Sequence, residues 1–197
     1  MTYQEETQTL TEQASAQVLA ALSAYAAGTL TYEAVAAVVA AYVAAGNSAG
    51  AALGDVALAA AVTLQTGQPA APLGITRPAD EDQRLTKAAK TILDDLDAKR
   101  DEDAEAALSE AQKRFQRLVE AEIRKAVADA YSEAIKESES VTGWIRALEP
   151  DACELCTWWW RNGRVWPADH DMPRHTGCDC GQLVVTTTEP IKPVRVH

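Results

Sequence analysis

The stretch Cys153-Glu154-Leu155-Cys156, followed after eighteen residues by His175-Thr176-Gly177-Cys178-Asp179-Cys180, decides how the C-terminal part of this chain folds. It contains all four cysteines of the protein. Thiolate and imidazole are donors that suit zinc, and a CxxC pair in a turn can bring two thiolates onto one tetrahedral ion. A site with four protein ligands is closed, so the pattern predicts a structural zinc ion and no catalytic one.

Five side chains compete for the four positions of such a site: Cys153, Cys156, His175, Cys178 and Cys180. One set consists of the four cysteines. Another combines the CxxC pair with His175 and one of the last two cysteines, and Gly177 would let the backbone fold tightly between them. His170 is a weaker candidate. The spacing leaves the choice open, and a histidine outside the set can hydrogen-bond a thiolate.

The residues around this motif have the composition of short strands and turns. All five tryptophans lie in this part of the chain, and strands are predicted at Thr142–Leu148 and Leu183–Thr188. Asn162-Gly163 predicts a hairpin turn between a strand at Trp158–Trp160 and a strand at Val165-Trp166. Three consecutive tryptophans cannot share one strand face, so at least one should be exposed or in an interface. A module this small needs a staple such as a metal.

The first third of the chain, residues 1–67, is alanine-rich and reads as two helices. One is predicted from Thr2 to Ala27, and Thr31 is a suitable N-cap for the next. Gly46, Gly50 and Gly54 recur every four residues and therefore fall on one helix face. They indicate either close approach of another backbone or a break in the helix at Gly46-Asn47-Ser48.

A second helical region follows a proline-rich linker at 68–80. Residues 81–140 are rich in charge, with a short helix predicted at Asp80–Lys99 and a long amphipathic helix at Glu102–Glu137. Residues 141–197 form the zinc-binding module and its extended tail. The expected fold is therefore mostly α, with N-terminal antiparallel helices, one long helix and a small C-terminal α+β zinc-binding module.

The charge and hydropathy of the chain disfavour several classes of function. The formal net charge is -11 and no segment is a basic patch, which disfavours tight non-specific binding to nucleic acid. The N-terminus is acidic where a signal peptide is basic. The uncharged stretch Ala34–Gly54 is about long enough to span a bilayer, but it is mostly alanine and contains glycine, asparagine and serine, so no membrane segment is expected. A cytoplasmic setting keeps cysteines reduced and favours metal binding.

Four segments together resemble one known family: Trp144–Leu148, Cys153–Cys156, Asn162–Pro167 and His175–Cys180. They are similar to the C-terminal domain of the Mu F-like phage minor capsid (head morphogenesis) proteins. That domain carries a CxxC, a Gly-Lys/Arg-Val turn and a His-Pro-x-Cys-Arg-Cys ending. Thr176 and Asp179 replace the usual proline and arginine here, which leaves the metal ligands intact. The resemblance covers about residues 141–187.

The resemblance implies a structural minor capsid protein of a tailed phage, made in the host cytoplasm and located inside the head of the virion near the portal. Its implied partners are the portal protein, the major capsid protein or both, with at most weak contact with packaged DNA. In some phages this type of domain is fused to an enzyme, but the sequence shows no such extra domain and no catalytic set, so no enzyme is expected.

Two alternatives remain open from the residues themselves. A capsid-maturation protease or other zinc-dependent hydrolase would need an open metal position and a general base such as Glu154 or Asp169. A nucleic-acid-binding zinc module would use Arg161, Arg164 and Arg174 beside the tryptophans. Residues 141–197 hold six bases and seven acids, which counts against phosphate binding.

Overall fold

The computed structural model describes residues 3–77, 81–175, 177–178 and 180–187. Within them the chain is mostly helical, with a small antiparallel sheet near the C-terminus, which confirms the expected fold class in outline. The predicted extended tail at 189–197, the last residue of the predicted strand at 188 and the end of the linker at 78–80 lie outside the described residues. The elements in chain order are α1 (Tyr3–Ala26), α2 (Tyr32–Thr66), α3 (Glu81–Arg100), α4 (Ala104–Glu137), β1 (Val141–Ala147), α5 (Glu154–Trp160), β2 (Trp166–Pro167) and β3 (Gly181–Thr186).

The ends of the long helices follow the cap signals in the sequence. Beyond α1, Gly28 has a φ of 74°, a conformation that glycine adopts without strain. The Thr31 hydroxyl accepts a hydrogen bond of 3.3 Å from the Ala34 N–H in the first turn of α2. Both α3 and α4 begin within two residues of their predicted starts. Local cap chemistry therefore positions these helices along the chain.

The chain forms two compact units. Unit 1 comprises Met1–Gly50 and Thr76–Val127, and unit 2 comprises Ala51–Ile75 and Ala128–His197. Helices α2 and α4 each contribute to both units. The predicted boundaries at 67, 80 and 140 describe changes in amino-acid composition. They stay a prediction, because each of the two units contains residues from more than one of the predicted segments.

Unit 1 is a helical core in which two glycines allow a close approach. A Cβ atom on Gly46 would lie 2.6 Å from Ile123 Cδ1, and one on Gly50 would lie 3.3 Å from the Ile123 carbonyl oxygen. Helix α2 continues through Gly46-Asn47-Ser48 without interruption. The predicted close approach of another backbone is therefore confirmed at Gly50, whereas at Gly46 the close neighbour is the Ile123 side chain, and the alternative of a helix break is wrong.

Ion pairs lie at the surface of unit 1. Arg84 donates two hydrogen bonds of 2.6 Å to the carboxylate of Glu122, which is the bidentate geometry. These hydrogen bonds lower the pKa of Glu122, against the opposing effect of its partial burial. An i,i+4 ion pair between Glu120 and Arg124 is present at 2.9 Å. Such pairs orient helices but stabilise the fold little.

Helix α2 is long and apolar enough, by length and composition alone, to cross a membrane. Of its most apolar window, 56% is buried inside the protein. The core helix of a folded domain has the same properties, so this helix does not change the expectation of no membrane segment.

Unit 2 contains the three-stranded sheet, in the order β2-β1-β3 with both pairings antiparallel. Trp144 in the central strand lies opposite Trp166 on one side and Val184 on the other. A Cβ atom on Gly143 would collide with the backbone carbonyl of Trp166, so only glycine permits this pairing. The strands predicted at Thr142–Leu148 and Leu183–Thr188 are confirmed as β1 and β3, each shifted by one or two residues.

The predicted hairpin around Asn162-Gly163 is wrong. Trp158–Trp160 belong to helix α5, and β2 pairs with β1 instead. Arg161, Asn162 and Gly163 all have positive φ and end the helix, with the Gly163 N–H bonded to the Trp160 carbonyl at 3.1 Å. The aromatic run has a strand preference, but the cysteines need a helical turn, because residues three apart point to opposite faces of a strand. One tryptophan of the run, Trp158, is exposed as expected.

The proline-rich segment after α2 is irregular, as predicted, but it is fastened to unit 2. Asp55 on α2 is 3% exposed and accepts three backbone hydrogen bonds of 2.6 to 3.0 Å, from Leu73, Gly74 and Ile75. Ile75 packs against the core of unit 2. The fully or largely buried residues of that core are Leu58, Val62, Ala134, Ile135, Val141, Trp144, Cys156, Met172, Cys180 and Val184.

Candidate metal centre

Helix α5 brings the CxxC pair to one side of a single turn. Cys153 is the N-cap residue, without a side-chain capping bond, and Cys156 follows one turn later. Cys156 is buried at 1% exposure while Cys153 is exposed. Trp159 comes three residues further along the same side. The pair therefore spans from the surface into the core of unit 2.

The segment before His175 is held from two sides. Nη2 of Arg174 donates to the Ala128 carbonyl of α4 at 3.2 Å and to the Ser132 hydroxyl at 3.0 Å. The preceding carbonyl, that of Pro173, accepts a short hydrogen bond from Arg146. These anchors point the His175 ring at the CxxC turn, where it stacks on Trp159 with ring centroids 6.2 Å apart.

All five predicted ligands lie together. Nε2 of His175 is 3.2 Å from the Cys153 sulfur and 3.3 Å from the Cys156 sulfur, and the Cys156 and Cys178 sulfurs are 3.3 Å apart. The donor atoms form two groups within 4.8 Å, Cys153–Cys156–His175 and Cys156–Cys178–Cys180. Cys156 belongs to both groups. Each group could hold a metal ion.

The spacing of these donors fits a tetrahedral ion. With zinc–sulfur and zinc–nitrogen bonds of about 2.3 and 2.05 Å, a tetrahedral site has ligand separations of about 3.8 Å between sulfurs and about 3.6 Å between sulfur and nitrogen. The observed contacts of 3.2 to 3.3 Å are a few tenths of an ångström shorter. Within each of these three pairs an ion would need only a small outward shift, but Cys178 and Cys180 lie outside the Cys153–Cys156–His175 group, so a four-ligand site also requires one of them to approach that group. The four cysteines are free of disulfides.

The electrostatic surroundings differ across the cluster. Burial raises the pKa of the Cys156 thiol well above its usual range, assisted by its contacts with Cys178 and Cys180. At exposed Cys153, hydrogen bonding by the Cys156 N–H lowers the pKa. Burial opposes the same change at Cys178, but hydrogen bonds from the Cys156 thiol and the Cys180 N–H lower its pKa. The Cys153 and Cys178 thiols therefore ionise more readily than the buried Cys156 thiol.

A buried arginine lies against the sulfur at the centre of the cluster. Arg146 on β1 is 1% exposed, and its Nη1 donates to the Cys156 sulfur at 3.7 Å. Its guanidinium carbon lies 5.1 Å from the centroid of the Trp159 ring. The Nε atom has no hydrogen-bond partner among the described residues.

The other residues singled out in the sequence lie elsewhere. His170 stacks on Trp166, with ring centroids 4.3 Å apart, and joins neither donor group. Glu154 and Asp169 are exposed and also lie outside both groups. Arg174 is engaged with α4, so it does not present a free phosphate contact. Arg161 and Arg164 are exposed and stack on tryptophan rings.

The sequence did not reveal two residues that shape the site. Arg146 contacts the Cys156 sulfur directly, and Trp159 acts by stacking on His175. The signal for Arg146 was present, since it sits two residues after Trp144 in an otherwise apolar strand and therefore shares its face. The signal for Trp159 depended on assigning a helix to its segment. The anchoring role of Arg174 could not be read from spacing.

In comparisons with protein families, curated proteins and solved structures, nothing matches this chain. The likeness to the Mu F-like proteins therefore rests on the motif residues quoted above. The geometry of the donor cluster is the firmer basis for a functional argument.

Proposed function

We propose that this protein is a structural minor capsid protein of a tailed phage, in which a zinc ion held by the Cys/His cluster staples the C-terminal sheet unit. The observation that carries the proposal is the convergence of five soft or borderline donors around buried Cys156. Thiolate and imidazole donors in this arrangement suit zinc better than magnesium or calcium. The phage setting is supported by the motif resemblance of residues 141–187.

A structural role follows from the number of donors. A tetrahedral ion takes four ligands, and the two groups that share Cys156 together offer five donors, enough for protein side chains to fill every position if the groups close on one ion. A hydrolytic zinc keeps one position for water and places a general base beside it. Glu154 and Asp169, the carboxylates considered for that base, are exposed and outside the donor groups. These features support a structural role over a catalytic one.

The zinc ion would join parts of unit 2 that are distant in sequence. Cys153 and Cys156 belong to the start of α5, while His175 and Cys178 precede β3. The sheet supplies little apolar area of its own, and its core depends on α2 and α4 residues as well. Closing the cluster therefore fixes α5 and the segment before β3 against this shared core.

The metal content of the full chain is the first test. Purified under reducing conditions, the protein should carry one zinc ion per chain by elemental analysis. His175→Ala should lose the ion or bind it much more weakly, because an imidazole donor is removed. His170→Ala is the matched control and should keep it, since His170 stacks on Trp166 outside the cluster. Absence of metal from the unmodified chain would sink the zinc proposal.

The phage setting needs a separate test. Virions of the phage that encodes this chain should contain the protein in a few copies per head, and a tagged copy should co-purify with portal or major capsid protein. The His175→Ala variant should assemble less well, because its C-terminal unit is loosened. A protein that is missing from purified virions and binds neither partner is not a head component.

A second candidate function is supported by an exposed arginine–tryptophan surface. The guanidinium carbon of Arg161 lies 3.8 Å from the centroid of the Trp158 ring, and that of Arg164 lies 4.2 Å from the Trp166 ring. Trp158 is 57% exposed. Stacked aromatic and guanidinium groups can bind single-stranded nucleic acid, which would give weak contact with packaged DNA.

This surface can be tested by titrating fluorescently labelled single-stranded DNA at several salt concentrations. Phosphate contact predicts affinity that falls with salt, and Arg161→Ala with Arg164→Ala should weaken binding and flatten that dependence. Lys113→Ala, an exposed cation on α4, is the control. Undetectable binding even at low salt would remove nucleic acid from the list of partners.

A further inference from the structure

The charge of Arg146 is unusual for its surroundings. Its side chain is 1% exposed, and among the described residues no carboxylate pairs with it. An arginine side chain is always charged in proteins, and burying an uncompensated charge costs several kcal/mol in general. A carbonyl oxygen and an aromatic face solvate a guanidinium but carry no opposite charge. Among the residues that the structure describes, the remaining hydrogen-bond neighbour is the Cys156 sulfur.

A metal-bound cysteine is a thiolate, so the metal centre is the natural source of the missing negative charge. Three thiolates and one neutral imidazole around a divalent ion leave one net negative charge. Four thiolates leave two. A single buried guanidinium balances the first arrangement and leaves the second with an uncompensated charge.

From this geometry we propose that Arg146 is the charge-balancing partner of the metal centre, and that the centre therefore holds three thiolates and His175. The proposal rests on the proposed zinc function of the cluster and adds a positioning residue and a ligand set to it. Arg146 touches the ligand Cys156 and acts on the ion only through that sulfur.

The distances between the donor atoms indicate which cysteine does not bind the metal. The three contacts of 3.2 to 3.3 Å join Cys153, Cys156, His175 and Cys178 in one series. The Cys180 sulfur lies within 4.8 Å of the Cys156 and Cys178 sulfurs but adds no contact to that series, and a neutral thiol at this buried position behaves as a small apolar side chain. The inferred ligands are therefore Cys153, Cys156, His175 and Cys178.

The same arginine also positions the histidine. Its Nη2 bonds to the Pro173 carbonyl, two residues before His175, and its guanidinium faces Trp159, on which His175 stacks. Arg146 thus touches the CxxC side of the cluster through Cys156 and the histidine side through Pro173. Residues that orient metal ligands in this way commonly change metal affinity by about 10- to 100-fold when replaced.

The experiment uses the full chain loaded with cobalt(II), whose thiolate charge-transfer absorption grows with the number of sulfur ligands. The unmodified chain and Cys180→Ala should show the same three-thiolate intensity, whereas Cys178→Ala should lose one third of it. Unchanged intensity in Cys178→Ala with a loss in Cys180→Ala would overturn the ligand set. A four-thiolate intensity that falls by one quarter in both variants would also overturn it.

Arg146→Met tests the charge. We expect an affinity for cobalt and zinc about 10- to 100-fold lower, measured by chelator competition, and a shift of the charge-transfer band to longer wavelength because the sulfur loses a hydrogen-bond donor. Arg164→Met is the matched control, since Arg164 stacks on Trp166 at the surface, and should change neither value. Unchanged affinity and band position in Arg146→Met would overturn the role of Arg146.

Arg146→Lys decides the matter if the methionine variant does not fold. It retains the positive charge but cannot reach both the Cys156 sulfur and the Pro173 carbonyl. We expect it to bind cobalt with a shifted band, and a band identical to that of the unmodified chain would contradict the proposal. Failure of the unmodified chain to bind cobalt or zinc would instead refute the proposed zinc function, which separates the two results.

Discussion

The two units of this chain are built on different physical principles. Unit 1 buries aliphatic side chains such as Val18, Leu22 and Val39 between helices and keeps its charges at the surface. Among the described residues, the buried charged side chains are Asp55 and Arg146, and both belong to unit 2. Apolar packing dominates the core of unit 1, where the buried polar side chains Thr11 and Asn47 are uncharged, whereas unit 2 depends on buried charged groups that must each find a partner. The second strategy is more fragile when a partner is removed.

Removal of the metal should separate the two units most clearly. We expect Cys156→Ser, or a strong chelator, to lower the free energy of unfolding of unit 2 by on the order of 5 kcal/mol, because a structural zinc site contributes folding free energy directly. All five tryptophans lie in unit 2, so their fluorescence reports on it. Hydrogen exchange should show loss of protection in β1 and β3 while α1 and α3 stay protected. An equal loss of protection in α1 and α3 would contradict the expected difference between the two units.

Asp55→Ala should be the next largest effect, again in unit 2. The carboxylate accepts three backbone hydrogen bonds in a buried position, so its loss should cost about 2–4 kcal/mol. Asp55→Asn should also destabilise, because its NH2 group would face backbone donors. Urea unfolding followed by tryptophan fluorescence measures the change, with exposed Asp101→Ala as the control. A cost below that of the control would show that the segment is not held by Asp55.

Gly46→Ala tests the helix packing of unit 1. The new Cβ would meet Ile123 Cδ1, and the overpacking should cost about 1–3 kcal/mol, reduced by about 1 kcal/mol of helix propensity. Ile123→Val removes that Cδ1 atom, so the double variant should recover most of the loss. Urea unfolding followed by helical circular dichroism gives the coupling free energy. Strictly additive single changes would mean that this contact does not limit the approach of the helices.

The smallest effect is the pH dependence of the Arg84–Glu122 pair. The folded pKa of Glu122 is below its unfolded value, so the pair stabilises unit 1 above the unfolded pKa and this contribution is lost as the pH falls through the folded pKa. Because Arg84 is half-exposed, solvent screening limits the contribution to about 1 kcal/mol or less. Stability measured from pH 6 to pH 3 should fall less steeply in Glu122→Gln. An unchanged slope would assign the acid sensitivity to other carboxylates.

The sequence predicts local elements of this protein better than its tertiary constraints. Caps such as Thr31 and the apolar periodicity of α4 locate the helices, because those signals act within one or two turns. Helix α5 was missed because the tryptophans have a strand propensity, which is a local property. The requirement that Cys153 and Cys156 face one point depends on the tertiary structure and outweighs that propensity. The backbone partners of Asp55 lie about twenty residues away. No periodicity in the sequence carries that information.

The candidate site was predictable as a set of five residues, because the donor types and the CxxC spacing are local facts. Its surroundings were not. Arg146 and Cys156 are ten residues apart and meet only because α5 packs on β1. Long-range electrostatic pairing of this kind depends on the finished fold, which is why spacing left the choice of ligands open.

The position of α5 also has a consequence for how the C-terminal unit assembles. Two donors lie within a single helical turn, so a metal ion can be captured by Cys153 and Cys156 before the rest of the chain is ordered. Completing the site then closes a loop of 22 residues between Cys156 and Cys178. A cross-link over such a loop removes roughly 3 kcal/mol of chain entropy from the unfolded state on the polymer model used for disulfides. Unlike a disulfide, this link forms in a reducing cell and opens again whenever the ion is withdrawn.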